Sequence, residues 1–297
     1  MKITIVGLGL IGGCVGLDLK KEPMIHRTGV DFNPKHRSKA LELGLVDDVK
    51  SEDDALTDAD VIVLAIPVHT IKAMLPQILD VVKPGAVVID LGSTKSAICK
   101  EVSLHKNRSQ YVAAHPLAGT ENSGPEAAFT GLFVDKINIV CEQEKTSLDA
   151  MTSAQKIFTM LGLTTIFMEP EEHDRHVAYV SHLSHVSSFL LSQTVLDIER
   201  DEKSIFNLAG SGFASTVRLA KSSPDMWAPI FEQNAEYLGQ ALAEYIMHLQ
   251  RFHYQLMKRN TKELYGVLKE ANKIRRVLDA PDALKVSAIT EEAGLGR

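Results

Sequence analysis

A histidine in a polar loop is the first candidate for chemistry in this chain. His115 ends the apolar run "YVAAH" and is followed by "PLAGTENSG", which has neither helix nor strand periodicity. A neutral imidazole is the side chain best suited to accept a proton near pH 7. The loop is therefore either ordinary turn chemistry or a support that holds His115 against a reacting group.

Three glycines near the start of the chain predict a dinucleotide site. Gly7-x-Gly9-x-x-Gly12 follows the β-branched run "KITIV" and opens an apolar segment that is typical of a helix. Gly7 would permit a tight turn, Gly9 would let a pyrophosphate approach the backbone, and Gly12 would let the helix pack closely on the strand. The first backbone N–H groups of that helix, near Leu10 and Ile11, would face the phosphates.

An acidic residue after the next predicted strand favours NAD as the cofactor. Asp31 lies in "TGVDF", 19 residues after Gly12, where a carboxylate accepts hydrogen bonds from the ribose hydroxyls. The same charge would repel the 2′-phosphate of NADP. A secretory signal is the alternative for the first residues, because a lysine and an apolar run precede Cys14. The glycines interrupt the run that a signal helix keeps continuous, which favours the dinucleotide site.

Alternating strands and helices predict a doubly wound α/β sheet. The further strand-like runs are "ADVIVLAIPV", "PGAVVIDLGS", "YVAAH", "KINIVCE" and "TTIFMEP". The helical segment "IKAMLPQILDVV" is expected to be interrupted at Pro76. Ligands of such sheets bind beyond the carboxyl ends of the strands. We therefore expect Pro67, Ser93 and His115 to open on the same crevice as Gly9.

The composition changes after Pro170 to one that is typical of helices. No Gly or Pro occurs in residues 171–209 or in residues 240–265, and both stretches predict long helices. The sequence therefore predicts a Rossmann-type doubly wound domain over residues 1–168 and an all-helical domain over residues 169–297.

Apolar residues in the second of these helices recur at steps of four and three. They are Leu238, Leu242, Tyr245, Leu249, Phe252 and Leu256. This spacing is typical of a seam that packs on another helix. It fits the core of the helical domain and a dimer interface equally well, and periodicity does not separate the two.

Four histidines lie close together in "HDRHVAYVSHLSH", namely His173, His176, His182 and His185. On a regular helix with about 100° per residue, the first pair faces away from the second, so one ion cannot bind all four. No HExxH motif accompanies them, and we expect no metal. We expect His173 and His176 to be exposed or to cap a helix, and His182 and His185 to face a polar pocket.

Composition and charge exclude several classes of protein. The net charge is −6 and the isoelectric point about 6.0, so no basic surface would bind nucleic acid or an anionic membrane. No apolar run approaches the length of a membrane span. The three cysteines lie far apart without CxxC spacing, which indicates reduced thiols and a cytoplasmic protein.

Six segments together carry a resemblance to a known family. They are "VGLGLIGG", "GVDFNP", "DLGSTK", "HPLAGTENSG", "HDRHVAYVSHLSHV" and "GSGFASTVRLAKSSPDMW". In this order, over residues 1 to about 255, the chain resembles the prephenate dehydrogenases, which include arogenate and cyclohexadienyl dehydrogenases. The loop at His115 and the SHL-x-H segment are far more specific than the glycine motif. The resemblance implies an NAD(P)-binding domain, an all-helical dimerisation domain and a homodimer.

The resemblance also implies a reaction, an oxidative decarboxylation. Hydride would pass from the ring carbon that bears the 4-hydroxyl to the nicotinamide, CO₂ would leave the opposite carbon, and the ring would become aromatic. His115 would draw the proton from that hydroxyl, and Ser93 would share the hydroxyl beside the nicotinamide. Aromatisation supplies the driving force, so the protein must supply orientation, anion binding and a proton acceptor.

The resemblance assigns further residues to ligands. Arg218 would bind a substrate carboxylate, and Glu121 would form an ionic gate with it. The other residues expected in the substrate pocket are His182, His185 and Trp227. The residues expected at the cofactor are Gly7, Gly9, Leu10, Ile11, Gly12, Asp31, Pro67 and Ser93.

Some alternatives remain open in the sequence. The preferred substrate is prephenate or arogenate, and feedback inhibition by tyrosine is not evident from any appended domain. Relatives often carry an acid three positions before the arginine, where this chain has Ser215, so a gate built on that acid is in doubt. A β-hydroxyacid type of dehydrogenase would use a lysine such as Lys95. An NAD-sensing module would need neither His115 nor Arg218.

Overall fold

Short β-branched runs form one eight-stranded sheet in the computed structural model, which describes residues 1–279. The strands are β1 (Lys2–Val6), β2 (His26–Val30), β3 (Asp48–Val49), β4 (Val61–Leu64), β5 (Val87–Asp90), β6 (Tyr111–Pro116), β7 (Ile137–Cys141) and β8 (Thr164–Met168). Their order across the sheet is β3-β2-β1-β4-β5-β6-β7-β8. All neighbours pair in parallel except β6 and β7, which are antiparallel. The predicted doubly wound α/β fold is confirmed.

Helices connect the strands and cover the sheet. They are α1 (Leu10–Leu19), α2 (Pro34–Glu42), α3 (Glu52–Asp58), α4 (Val68–Val81), α5 (Ser96–Glu101) and α6 (Leu148–Met160). The central strands are buried along almost their whole length, because helices cover both faces of a parallel sheet. The carboxyl ends of β1, β4, β5 and β6 therefore share one edge, where the connecting loops are free to bind a ligand.

Pro76 does not interrupt its helix, so that prediction was wrong. α4 runs without a break from Val68 to Val81 with Pro76 inside it. A proline removes one backbone hydrogen bond from a helix. The buried side chains of Ile71, Leu75 and Ile78 lie on both sides of the proline, and their packing holds the two halves in line.

The helical region begins directly after β8. α7 (Pro170–Val177) continues through a π-helical turn (Ala178–His182) into α8 (Leu183–Glu199). The remaining α-helices of the described chain are α9 (Ser211–Thr216), α10 (Pro224–Gln233), α11 (Ala235–Met257), α12 (Thr261–Ala271) and α13 (Arg275–Leu278). No strand follows Met168 in residues 169–279.

The two long predicted helices end earlier than expected. The first ends at Glu199, because the polar run "DEKS" that follows is exposed and buries nothing that would hold another turn. The second is broken between α11 and α12. Arg259 adopts a left-handed φ of 53°, and Asn260 caps α12 by accepting a hydrogen bond from the Glu263 amide at 3.3 Å. A left-handed residue followed by a capping residue is a common way to end one helix and begin the next.

The chain divides into two compact units by its contacts, one over residues 1–235 and one from Glu236 onward. The sequence-based boundary at residue 168 stays a prediction. In the second unit Leu238 is buried, whereas Leu249, Phe252 and Leu256 are exposed in the single chain. None of the helices described here is long and apolar enough to cross a membrane.

The turn after β1 shows why the first glycines are needed. Gly7 has a φ of 93°, which a residue with a side chain rarely adopts. A Cβ atom at Gly12 would lie 1.9 Å from the carbonyl oxygen of Gly7, so α1 could not pack as it does. A Cβ atom at Gly9 would meet nothing within 4 Å. Gly12 therefore serves the fold, and Gly9 leaves open space above the turn.

We predict effects of different size on stability for alanine at these two glycines. Gly12→Ala should lower the free energy of unfolding by about 1–3 kcal/mol or more, because the added methyl group overlaps a backbone carbonyl. Gly9→Ala should change it by less than about 1 kcal/mol, because its φ of −77° suits alanine. Denaturant unfolding of both variants measures the difference. Equal losses would contradict the assignment.

Candidate active site

Four of the predicted cofactor residues line one cavity. Gly7, Gly9, Asp31 and Pro67 surround a volume of about 780 Å³ at the carboxyl edge of β1, β2 and β4. Leu10, Ile11 and Gly12 form the first turn of α1 next to it, where backbone N–H groups have no partner within the helix. Open space above Gly9 and free amides at a helix start fit the pyrophosphate of a dinucleotide.

The carboxylate of Asp31 is held in place by the backbone around it. Oδ2 accepts a hydrogen bond from the Leu8 amide at 2.8 Å, and Oδ1 accepts one from the Asn33 amide at 2.8 Å. Arg37 donates to the backbone carbonyl of Asp31 at 2.6 Å. Each carboxylate oxygen can accept more than one hydrogen bond. Asp31 therefore faces the cavity with acceptor capacity left for the hydroxyls of a ribose.

His115 and Ser93 lie on neighbouring segments of the same sheet edge. His115 is near the end of β6, and Ser93 lies in the half-buried loop between β5 and α5. β5 and β6 pair in parallel, with Asp90 opposite Ala113, so both segments leave the sheet in the same direction. His115 is 9% exposed and its ring contacts the ring of His173 at a centroid distance of 5.0 Å.

A chain of hydrogen bonds fixes the proton positions of two histidines. Asp174 is a carboxylate and only accepts, so His173 Nδ1 donates to its Oδ1 at 2.7 Å. A neutral His173 then carries no proton on Nε2, which accepts from His115 Nδ1–H at 2.8 Å. The remaining nitrogen of His115, Nε2, is therefore a proton acceptor.

Burial keeps these histidines neutral. It is the largest cause that lowers the pKa of His115 well below its usual range, and the neighbouring His173 ring and the Lys95 ammonium lower it further. Burial also lowers the pKa of His173, although the hydrogen bond and charge of Asp174 oppose it. Burial alone would raise the pKa of Asp174, but hydrogen bonds from His173 and from two backbone amides lower it overall.

The expected exposure of His173 was wrong, whereas His176 is exposed as predicted. His173 is completely buried. The prediction placed His173 and His182 on opposite sides of a regular helix. The π turn at Ala178–His182 adds one residue to a turn and moves His182 back by about 100°, so both histidines face the buried side.

Asn234 links this network to His182. Its Nδ2 donates to the backbone carbonyl of Asp174 at 2.8 Å, which identifies that atom as the amide nitrogen. The same Nδ2 lies 3.0 Å from His182 Nδ1, which must therefore accept. The proton of His182 is then on Nε2, which is buried and has no hydrogen-bond partner among the described residues. Burial lowers the pKa of His182 from 6.5 to about 4.

His185 and Trp227 form a stacked pair beside His182. Their ring centroids are 3.5 Å apart with an angle of 25° between the planes. His185 Nδ1 donates to the carbonyl of Ser181 at 3.0 Å, and burial lowers the pKa of His185. Its Nε2 is therefore an acceptor. The structure brings the three predicted aromatic pocket residues together in one cluster, since Trp227 also meets His182 edge to face at 5.9 Å.

Arg218 and Glu121 form an ion pair between a short helical turn and the loop after β6. The Arg218 guanidinium donates to Glu121 Oε2 at 2.7 Å. A hydrogen bond from its own backbone N–H and the bond from Arg218 lower the pKa of Glu121. The Arg218 side chain is 51% exposed, so the guanidinium has donors left for a ligand. Ser215 is exposed and bonds to the carbonyl of Gly212.

Lys95 is part of the interior. Its side chain is fully buried, and its ammonium donates to Asp90 and, at 2.7 Å, to the carbonyl of Ala114. Asp90 also accepts from the hydroxyl of Tyr111, and burial raises the pKa of that hydroxyl. Buried charges are tolerated when they are paired and hydrogen-bonded in this way. The ammonium supports the strand that carries His115.

Sequence reasoning missed His173, Asp174 and Asn234. The pair His173–Asp174 was visible as "HD" near the start of a helix, but the helix phase hid its burial. Asn234 lies 60 residues from Asp174, and no sequence signal connects them. Asp174 also accepts from the Lys95 and Ser96 amides at 2.8 and 2.9 Å, which ties α7 to the start of α5.

Comparisons with known proteins agree on one family. The family model described as "Prephenate dehydrogenase, nucleotide-binding domain" matches residues 15–166, and that described as "Prephenate dehydrogenase, dimerization domain" matches residues 169–270. The chain is 30% identical to the cyclohexadienyl dehydrogenase of Zymomonas mobilis over 279 residues, which cover 93% of this chain and 95% of that protein.

Solved structures are similar over nearly the whole chain. Prephenate dehydrogenase from A. aeolicus in complex with hydroxyphenyl propionate and NAD⁺ superimposes with a TM-score of 0.85 at 30% identity, covering 94% of this chain and 98% of that one. Arogenate dehydrogenase from Synechocystis superimposes with a TM-score of 0.73 at 29% identity, covering 94% and 100%.

We predict that the buried neutral histidines make the protein less stable in mild acid. The pKa of His182 is lowered in the folded state, so the unfolded chain binds the proton more tightly. Stability is then complete above pH 6.5 and falls as the pH drops toward about 4. His182 alone should account for about 3 kcal/mol of this loss.

Denaturant unfolding between about pH 7.5 and 4.5 tests this linkage. His182→Gln should flatten the pH dependence of the free energy of unfolding, even if it lowers stability at neutral pH. His176→Gln is the control, because His176 is exposed on the same helix. An unchanged slope in His182→Gln would show that His182 is not the group responsible.

Proposed function

The chain belongs to the prephenate dehydrogenase family, and we propose that it converts prephenate to 4-hydroxyphenylpyruvate and CO₂ with His115 as the proton acceptor. It is an NAD-dependent dehydrogenase. The single observation that carries the proposed role is the free Nε2 of a buried, neutral His115 at the carboxyl edge of the sheet. Because Nδ1 of this neutral imidazole already donates its hydrogen to His173, only Nε2 can accept a proton from a substrate.

His115 and Ser93 would act on the 4-hydroxyl of the substrate. His115 Nε2 would accept the hydroxyl proton, and the Ser93 hydroxyl would fix the oxygen beside the cofactor. NAD, when bound, accepts the hydride. Drawing the proton away raises electron density on the ring carbon and helps the hydride to leave, while aromatisation drives the loss of CO₂.

The cavity beside β1 and β2 fits the adenosine end of NAD. Gly9 leaves room for the pyrophosphate, the first turn of α1 offers backbone amides, and Asp31 offers its oriented carboxylate to the ribose. The residues proposed to hold the cofactor are Gly7, Gly9, Leu10, Ile11, Gly12, Asp31, Pro67 and Ser93. The charge of Asp31 would repel the 2′-phosphate of NADP.

Arg218 would bind a carboxylate of the dianionic substrate. A guanidinium binds a carboxylate through two parallel hydrogen bonds, and this one already bonds to the carboxylate of Glu121. An entering substrate carboxylate would therefore compete with Glu121 for the same donors, which is the gating role proposed for Glu121. His182, His185 and Trp227 would line the rest of the substrate pocket.

The burial of Lys95 argues against a lysine-centred reaction of the β-hydroxyacid type. Its ammonium donates hydrogen bonds to Asp90 and to the Ala114 carbonyl and has no exposed surface. An NAD-sensing module would have no use for the ordered protons of His115 and His173. These two observations favour the proton-accepting role over both rival functions.

We further propose that the chain works as a homodimer. Its residues 169–270 match a dimerization domain. Leu249, Phe252 and Leu256 of α11 leave an apolar face exposed in the single chain, and a second copy would cover it. A cytoplasmic location fits the cysteines Cys14, Cys99 and Cys141, which are free thiols.

Turnover with two candidate substrates tests the proposed function. With prephenate and NAD, NADH absorbance should rise and CO₂ should form in equal amount. Arogenate carries an ammonium group where prephenate carries a carbonyl oxygen, so the ratio of the two kcat/KM values identifies the preferred substrate. A higher kcat/KM with arogenate would reassign the substrate. NAD binding without turnover of either compound would refute the enzymatic role.

A matched pair of variants tests the carboxylate-binding role of Arg218. Arg218→Ala should raise the KM for prephenate roughly 10- to 100-fold, since a charged hydrogen bond is worth about 1.5–3 kcal/mol. Glu121→Gln breaks the same ion pair but keeps Arg218. It removes only the carboxylate that competes with the substrate, so it should leave the KM unchanged or lower it. Arg218→Lys should recover part of the loss.

Steady-state kinetics and NAD affinity separate the outcomes for these variants. Both Arg218 variants should bind NAD as the unmodified chain does. If Arg218→Ala and Glu121→Gln raise the KM equally, the ion pair is structural and the carboxylate binds elsewhere.

A further inference from the structure

We propose that His173 is a proton-relay residue. When His115 takes the proton of the substrate hydroxyl, His115 passes its own Nδ1 proton to His173, and the Asp174 carboxylate stabilises the resulting imidazolium of His173. The inference rests on the proposed role of His115 as the proton acceptor. Its basis is the unbroken hydrogen-bonded chain from His115 Nδ1 to His173 Nε2 at 2.8 Å and from His173 Nδ1 to Asp174 at 2.7 Å.

Asp174 makes His173 the better place for a positive charge. A cation on His173 is in direct contact with the Asp174 carboxylate, whereas a cation on His115 is separated from it by the whole His173 ring. Attraction between unlike charges falls with distance and is strong where water is excluded. Asp174 itself is held by the Lys95 and Ser96 amides, so it cannot follow a charge toward His115.

Other charged groups around the pair act in both directions. Lys95, from the loop before α5, disfavours a cation on either histidine, and His182 disfavours one on His115. Asp90, at the end of β5, favours a cation on His173. His173 thus has two carboxylates that favour its charge, whereas within residues 1–279 no carboxylate raises the pKa of His115.

The transfer balances without any further reactant. The O–H bond of the substrate breaks as the Nε2–H bond of His115 forms, and the Nδ1–H bond of His115 breaks as the Nε2–H bond of His173 forms. His173 is then an imidazolium between His115 and Asp174, and His115 is neutral with its proton on Nε2. The product retains its hydroxyl, so the proton returns by the same route after CO₂ has left.

Two substitutions at His173 distinguish a relay from simple positioning. In His173→Gln the amide oxygen can accept from His115 Nδ1–H and the amide nitrogen can donate to Asp174, but the side chain cannot carry a proton. His173→Ala can do neither. His176→Gln, an exposed position on the same helix, is the control. For each variant, kcat and KM are measured between about pH 5 and 9, together with NAD affinity.

The relay predicts that glutamine does not rescue turnover. His173→Gln should lower kcat by a factor on the order of 10²–10⁴, the usual share of a general base, with KM and NAD affinity unchanged. Near-normal kcat in His173→Gln would overturn the relay and leave His173 only a positioning role. The proposed role of His115 is tested by a different variant. If His115→Ala retained turnover, that role would fail whatever the result at His173.

Asp174→Asn gives a second, independent test through the pH profile. Removing the negative charge lowers the affinity of the histidine pair for a proton, so the acidic limb of kcat should move to lower pH as kcat falls. A loss of kcat without movement of the limb would contradict the relay.

Nitrogen NMR of the unmodified full-length chain tests the starting arrangement without any substitution. Both His115 and His173 should carry their proton on Nδ1 in the resting protein. A proton on His173 Nε2 would overturn the proposal, whether or not the variants fold.

Discussion

The arrangement of the site depends on the hydrogen bonds that the carboxylate of Asp174 accepts. This carboxylate accepts hydrogen bonds from two successive amides at the start of α5 and from the ring of His173. One buried anion therefore joins the first helix of the helical region to the sheet edge that carries Ser93. It also determines which nitrogen of His173 is protonated and, one ring further on, which nitrogen of His115 is free. The Asp174 carboxylate thus determines both where the His173 ring lies and which nitrogens of His173 and His115 carry a proton.

Water exclusion is what gives these contacts their effect. The interior beneath His115 holds an ammonium, two carboxylates and a phenol, and each polar group is matched by a partner of the opposite kind. In such surroundings an uncompensated charge is costly, so the histidines stay neutral until a ligand brings a proton. The exposed ion pair of Arg218 and Glu121 is different, because water weakens it and a ligand can replace one partner.

The sequence predicted those parts of the molecule in which local pattern and local structure coincide. Every strand except the two-residue β3, the glycine turn at Gly7 and the positions of Ser93 and His115 at strand ends follow from residue type and spacing alone. Pro76, the break near Arg259 and the burial of His173 did not follow, because packing and backbone geometry decided them. Asn234 could not be found at all, since only the folded chain brings its amide to Asp174 and His182.

The π turn between α7 and α8 places a requirement on backbone geometry as well as on residue types. Every side chain after Ala178 owes its direction to one additional residue in that turn, including His182, His185 and the rest of α8. A regular helix with the same residues and no π turn would keep the composition of this segment and rotate its histidines by about 100°, away from Asn234. In this part of the site, the form of one helical turn carries information that no single residue type does.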